Sequence, residues 1–160
     1  MSRIAAAEAF ERAPLLSERL GSATGSSTEL IARARALIAT LTDAEKAAVL
    51  DAHPRIGATV GLSARSAAEQ RAGEPDDPAI AAELARLNAA YEARFGFRFV
   101  VFVNGRSRAA IVPVLHQRLA RTRDEELATG LDEFLAIAHD RLEEDRMKRD
   151  RMEHGRMEKR

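Results

Sequence analysis

The residue types that suit chemistry fall in three stretches: His53-Pro54-Arg55-Ile56-Gly57, Ser66-Ala67-Ala68-Glu69-Gln70, and Phe95-Gly96-Phe97-Arg98-Phe99-Val100-Val101-Phe102-Val103. Histidine titrates near neutral pH, so an imidazole at position 53 can both hold and release a proton. The following proline restricts His53 to an extended backbone, and Gly57 lets the main chain come close to a ligand. Ser66 and Gln70 stand at i and i+4 and share one helix face, with Glu69 partly on it. That face offers a carboxylate beside a hydroxyl and an amide, which suits several heteroatoms of one planar ligand. The third stretch offers an apolar wall with backbone amides. This is equipment for acid-base chemistry on a small polar molecule, without a metal or organic cofactor.

Each residue also has a plainer reading. His53 reads equally as a satisfied loop histidine, and Glu69 as a capping or surface acid on a short helix. Arg141 falls seven residues after Phe134 and four after Ile137, so it continues the edge of an apolar stripe. A guanidinium there snorkels, pairs internally with a residue such as Glu69, or holds a substrate carboxylate as a planar fork. His116, His139 and His154 are scattered, and no ligand spacing supports a metal site. No phosphate-cradling glycine loop or Gly-x-Ser-x-Gly elbow occurs. The chain has no cysteine, which excludes disulfides and thiolate nucleophiles.

The elements that must position these groups read as helices. Ser26 with Glu29, Thr42 with Glu45, and Thr122 with Glu125 form capping boxes. The first precedes a stripe of Leu30, Ile31, Ala34, Leu37, Ile38 and Leu41; the second opens a short helix ending near Ala52, so His53 sits just past a helix end. Arg55 to Leu62 reads as a loop, and a short helix from Ser63 or Ala64 carries Ser66, Glu69 and Gln70. Asp77-Pro78 is an N-cap followed by an N1 proline, with Ile80, Leu84, Leu87 and Tyr91 as the buried face behind it. Phe95 to Val103 fits an extended, buried connector, since no partner strand is legible. Asn104-Gly105 is a turn. Ser107 caps a helix with Ile111, Val112, Leu115 and Leu119 inward. The last helix carries Leu127, Leu131, Phe134, Ala138 and Leu142. The sum is one all-α domain of about seven helices over residues 1–145. Residues 146–160 form a charged tail, a frayed helix or disorder, with seven basic and three acidic residues as a possible partner-binding surface.

At 160 residues the chain is long enough for a real core. Lys+Arg and Asp+Glu both number 25, so the footprint of a nucleic-acid binder is missing. Glu8 interrupts any secretory apolar core, and no apolar run approaches the ~18 residues of a membrane span. A cytoplasmic protein with no membrane or nucleic-acid partner is expected.

Taken in order, the motifs resemble the 2-oxo-4-hydroxy-4-carboxy-5-ureidoimidazoline (OHCU) decarboxylases. Ala52-His53-Pro54-Arg55-Ile56-Gly57 looks like the family's His-Pro motif, and Ser66-x-x-Glu69-Gln70-x-Ala72-Gly73 like its Ser-x-x-Glu-Gln motif. Leu87-Asn88-x-x-Tyr91-x-x-Arg94-Phe95-Gly96-Phe97-x-Phe99-Val100 is similar to its longest signature. Gly105-Arg106-Ser107 and Arg141-Leu142-Glu143 fit its bacterial branch. Arg98 departs from the family's usual proline, and residues 73–77 are shorter and more acidic than its pattern. The resemblance implies a helical homodimer that converts the ureidoimidazoline to (S)-allantoin and carbon dioxide without a cofactor. It implies His53 as the acid-base group, Glu69 as the carboxylate that orients N–H groups, and Arg141 as the cation that steadies negative charge. Pro54, Ser66, Ala67, Ala68, Glu69, Gln70, Phe99, Val100, Val101, Phe102 and Val103 would form the substrate pocket. The departures leave open a related enzyme on another ureido or imidazoline acid, and the tail leaves open a non-catalytic helical interaction module.

Overall fold

Helix ends are where backbone donors lack partners, and here side chains supply them. In the computed structural model, which describes residues 9–10, 13–20, 25–57 and 77–157, six helices are assigned. They are α1 (Pro14–Leu20), α2 (Ser27–Thr40), α3 (Asp43–Asp51), α4 (Pro78–Phe95), α5 (Arg108–Leu119) and α6 (Arg123–Met157). The Ser26 hydroxyl accepts from Glu29 N–H while the Glu29 carboxylate accepts from Ser26 N–H at 2.9 Å. Thr122 and Glu125 make the same reciprocal pair at 2.9 and 3.3 Å. Thr42 caps α3 through Glu45 N–H, Asp77 caps α4 through Ala79 N–H, and Ser107 caps α5 through Ala110 N–H. The expected all-helical class holds. The count of about seven differs because the helix expected on Ser63 to Gln70 lies outside the described residues.

The chain divides into two compact units, residues 1–40 with 135–160, and residues 41–134. In the first, α1 packs on α2, and the Glu143 carboxyl is held below its usual range by hydrogen bonds to Ser27 and Arg146. Helix α6 continues through the charged tail to Met157, and its last residues are exposed.

The second unit is organised around the connector after α4. Gly96 ends that helix in the left-handed region at φ 81°, a conformation that costs glycine little. Phe97 to Val103 then runs extended, and no strand is assigned among the described residues. Phe95, Phe97 and Phe99 are buried and set their rings 4.6 to 6.0 Å from Tyr91, edge-on. A buried backbone still needs hydrogen bonds, and without a neighbouring strand they come from arginines and acids. Arg123 donates to Phe95 O, Arg118 to Val100 O, and Arg106 to the carbonyls of Phe102 and Val103. Asp51 accepts from Arg98 N–H and Glu133 from Phe102 N–H. Asn104 and Gly105, both at positive φ, close a turn with Arg106 N–H bonded to Val103 O.

Arg118 was not legible as an interior residue; leucines at 115 and 119 were expected to line that face. It is 5% exposed, and Leu119 is half-buried instead. Its guanidinium lies 4.5 Å from the Phe99 ring centroid and bonds the wholly buried Glu126 at 2.7 Å. Glu126 also accepts from Tyr91 and Arg121. Burial and this bond to Glu126 push the Tyr91 phenol up, so it remains a donor. Arg118→Met should cost about 3 kcal/mol in urea unfolding, because it strands part of a buried carboxylate's pairing and orphans Val100 O. A loss under about 1 kcal/mol would contradict that role.

Asp43 is held below its usual value of 3.8 chiefly by Arg123, and Glu125 below 4.5 by its bonds to Thr122. Carboxylates depressed on folding contribute stability above their unfolded pKa and lose it as pH falls through the folded one. The thermal midpoint should therefore decline as pH is lowered from about 5 to about 3, whereas a flat midpoint would contradict it.

Candidate active site

His53 follows the C-terminus of α3, as expected. Its N–H bonds Leu50 O at 3.1 Å, closing the helix, and its carbonyl accepts from Arg98 Nη1 at 3.0 Å. The side chain is buried, with the Phe134 ring edge-on at 6.3 Å. Imidazole Nδ1 lies 3.2 Å from Pro54 O. A carbonyl can only accept, so in the neutral ring this contact places the proton on Nδ1 and leaves the lone pair on Nε2.

The loop that carries His53 is tied to α4. Asn88 Nδ2 donates to Ile56 O at 3.0 Å from a buried position between Leu84 and Tyr91. Arg55 meets Glu92 as a two-point fork at 2.7 and 3.0 Å. That bond holds the Arg55 guanidinium above its usual pKa. Helix α6 contributes consecutive residues: Glu133 accepts the Phe102 N–H, and Phe134 walls the imidazole. Phe134 was read from the sequence only as core. Its second role had no signal, because a stripe position looks the same whether it faces leucine or histidine.

Phe99, Val100 and Val101 are buried in the connector, and Phe102 and Val103 are half-buried. Arg98 points its guanidinium at the end of α3, where Nη1 bonds the carbonyls of Asp51 and His53 at 2.7 and 3.0 Å. Arg141 is wholly buried on α6, in the first unit. Ser66, Ala67, Ala68, Glu69 and Gln70 lie outside the described residues. His116 pairs with Glu83 at 3.3 Å on the surface, and His154 lies on the exposed end of α6. Among the described residues no cluster of acids and histidines could hold a metal ion, and no helix is long and apolar enough to cross a membrane.

Residues 3–143 match the family model described as OHCU decarboxylase. A 2-oxo-4-hydroxy-4-carboxy-5-ureidoimidazoline decarboxylase of Haloferax volcanii is 31% identical over 141 residues, covering 86% of this chain and 84% of that protein. The crystal structure of an OHCU decarboxylase in the presence of (S)-allantoin superposes with TM-score 0.66 at 25% identity, covering 79% of this chain and 87% of that one. An (S)-allantoin synthase structure shares the fold, with TM-score 0.65 at 20% identity over 88% of this chain and 48% of its own.

The tautomer can be read directly. Nitrogen-15 spectra of the His53 ring above its titration should show a protonated Nδ1 and a pyridine-like Nε2; the reverse pattern would remove the Pro54 contact as its cause.

Proposed function

From the premise that this chain belongs to the OHCU decarboxylase family, we propose that it decarboxylates 2-oxo-4-hydroxy-4-carboxy-5-ureidoimidazoline to (S)-allantoin and carbon dioxide, in the breakdown of urate. The observation that carries this reading is the family match over residues 3–143. The buried imidazole with its acceptor nitrogen fixed supports it from the side of chemistry.

No cofactor is required by the reaction. The bond from ring carbon to carboxylate breaks, carbon dioxide leaves, and the electron pair flows into the substrate's conjugated carbonyl and imine. His53 is the acid-base group: its Nε2 first takes up a proton, from the substrate hydroxyl or from water, and the imidazolium then polarises the ring system and returns that proton to it as this charge develops. Glu69 receives ureido or ring N–H groups and orients them, and Arg141 steadies the substrate's negative charge. Ser66, Gln70 and the backbone of Phe99, Val100, Val101, Phe102 and Val103 supply hydrogen bonds, Ala67 and Ala68 line the pocket beside them, and Pro54 packs against the ring. Delivery of the proton to one face would give a single enantiomer. The protein would work as a homodimer in the cytoplasm.

The test generates substrate in place with urate oxidase and 5-hydroxyisourate hydrolase, adds this protein, and follows the optical activity of allantoin. The wild type should speed the appearance of the (S) enantiomer. His53→Asn should lose on the order of 10²–10⁴-fold in kcat with the unfolding midpoint retained. A fully active variant removes His53 from the role, and an inactive wild type removes the reaction.

A further inference from the structure

The imidazole is placed by its backbone, so whatever grips that backbone grips the catalytic geometry. Residues Ala52 and beyond have left α3, and the carbonyls at a helix C-terminus lack intrahelical donors. Arg98 supplies them from the connector. Its Nη1 donates to Asp51 O at 2.7 Å and to His53 O at 3.0 Å, while its own N–H donates to Asp51 Oδ1 at 3.0 Å. Glu92 lies 4.0 Å from Arg98 Nε with the oxygen that also holds Arg55, two residues past His53. The connector, the end of α3 and α4 thus meet on one guanidinium, directly on the carbonyl of the residue that moves the proton.

The space beside this cluster, about 270 Å³ lined by Asp51, Arg55, Glu92, Gly96, Phe97 and Arg98, is not a second anion site, because its guanidinium groups already face Glu92 and the α3 carbonyls. It is the solvent side of a clamp. A cation at a helix C-terminus also opposes the partial negative charge of the carbonyls there, so the position suits a guanidinium better than a neutral donor.

We propose that Arg98 is a positioning residue for His53, a latch from the connector to the His53 carbonyl that sets where the imidazole stands relative to the substrate. This rests on the decarboxylase reading for its kinetic readout only. Without the latch, substrate binding groups elsewhere are untouched, but the proton-transfer distance changes, and small misplacements of a catalytic group cost up to about 10²-fold.

The experiment compares wild type, Arg98→Ala, Arg98→Lys and the surface control Arg86→Ala, which breaks only an exposed pair with Glu83. Each is assayed with freshly generated substrate, and the His53 ring signals are followed by NMR, assigned by their loss in His53→Asn. Arg98→Ala should lower kcat by about 10- to 100-fold with KM within about 3-fold, and should shift the His53 ring signals. Arg98→Lys keeps a cation with several donors and should recover part of kcat and return the ring signals toward wild type. Arg86→Ala should match wild type. The latch is overturned if Arg98→Ala leaves kcat and the His53 signals unchanged. It is equally overturned if Arg98→Lys, folded by its spectrum, behaves no better than Arg98→Ala. Should wild type itself release no allantoin, the reaction is lost, and the ring signals of Arg98→Ala and Arg98→Lys still decide the latch.

Discussion

The extended segment Phe97 to Val103 has no strand among the described residues to bond to, and that constraint shapes the second unit. Each unmade backbone hydrogen bond in the interior costs about 1–3 kcal/mol. Here the deficit is met from the side. Arg118 and Arg106 reach three carbonyls of the connector and Arg123 the last carbonyl of α4, and Asp51 and Glu133 reach two of the connector's N–H groups. Side chains replace the neighbouring strand. The choice of cation follows from geometry: a guanidinium has five donors in a plane and can serve a carbonyl and a carboxylate at once, which an ammonium does less well. The chain holds 22 arginines and three lysines, and the arginines that bond the connector from outside it show one use of that bias.

The same bonds that make the connector possible make the His53 loop definite. Asp51 belongs to α3 yet accepts from the connector, and Arg98 belongs to the connector yet donates to α3 and to His53. Glu133 and Phe134, adjacent on α6, hold the connector and wall the imidazole. Fixing one element therefore fixes the next. An imidazole on a free loop would sample several orientations, and the entropy of ordering it would fall on the reaction.

How much of this was legible divides along a physical line. Caps were readable because they are local: Ser26, Thr42, Asp77, Ser107 and Thr122 each act within three residues, and all five bond as their positions imply. The apolar stripe of α6 was readable because period and burial coincide. The helix end near Ala52 followed from proline, whereas Phe95, expected to open the extended connector, is instead the last residue of α4, because Gly96 rather than Phe95 takes the left-handed turn that stops the helix. The partners of arginines were not readable, since Arg98 and Asp51 are 47 residues apart and Arg123 and Asp43 are 80 apart. Nothing in their neighbourhoods distinguishes them from Arg86, whose fork closes on Glu83 three residues away. Asn88 carried a fainter signal, a polar residue inside an apolar face, which implies a buried acceptor without naming Ile56. For the candidate site, the His53-Pro54 dipeptide was visible from spacing and from the family's motif, while the residues that aim it were not.

Two kinds of arginine emerge, and their energetics differ. Arg118 is 5% exposed against a carboxylate that is 0% exposed, so its bonds form where charge is costly to leave unpaired, and its contribution is to stability. Arg98 is half-buried, and its acidic neighbours Asp51 and Glu92 stand at the water boundary, where an ion pair is worth about 0–1 kcal/mol. Its guanidinium also bonds two backbone carbonyls, those of Asp51 and His53, so under the proposal above its effect falls on position as well as on stability. The two guanidinium groups, one on α5 and one on the connector, thus serve different carbonyls, Val100 held by Arg118 and His53 by Arg98.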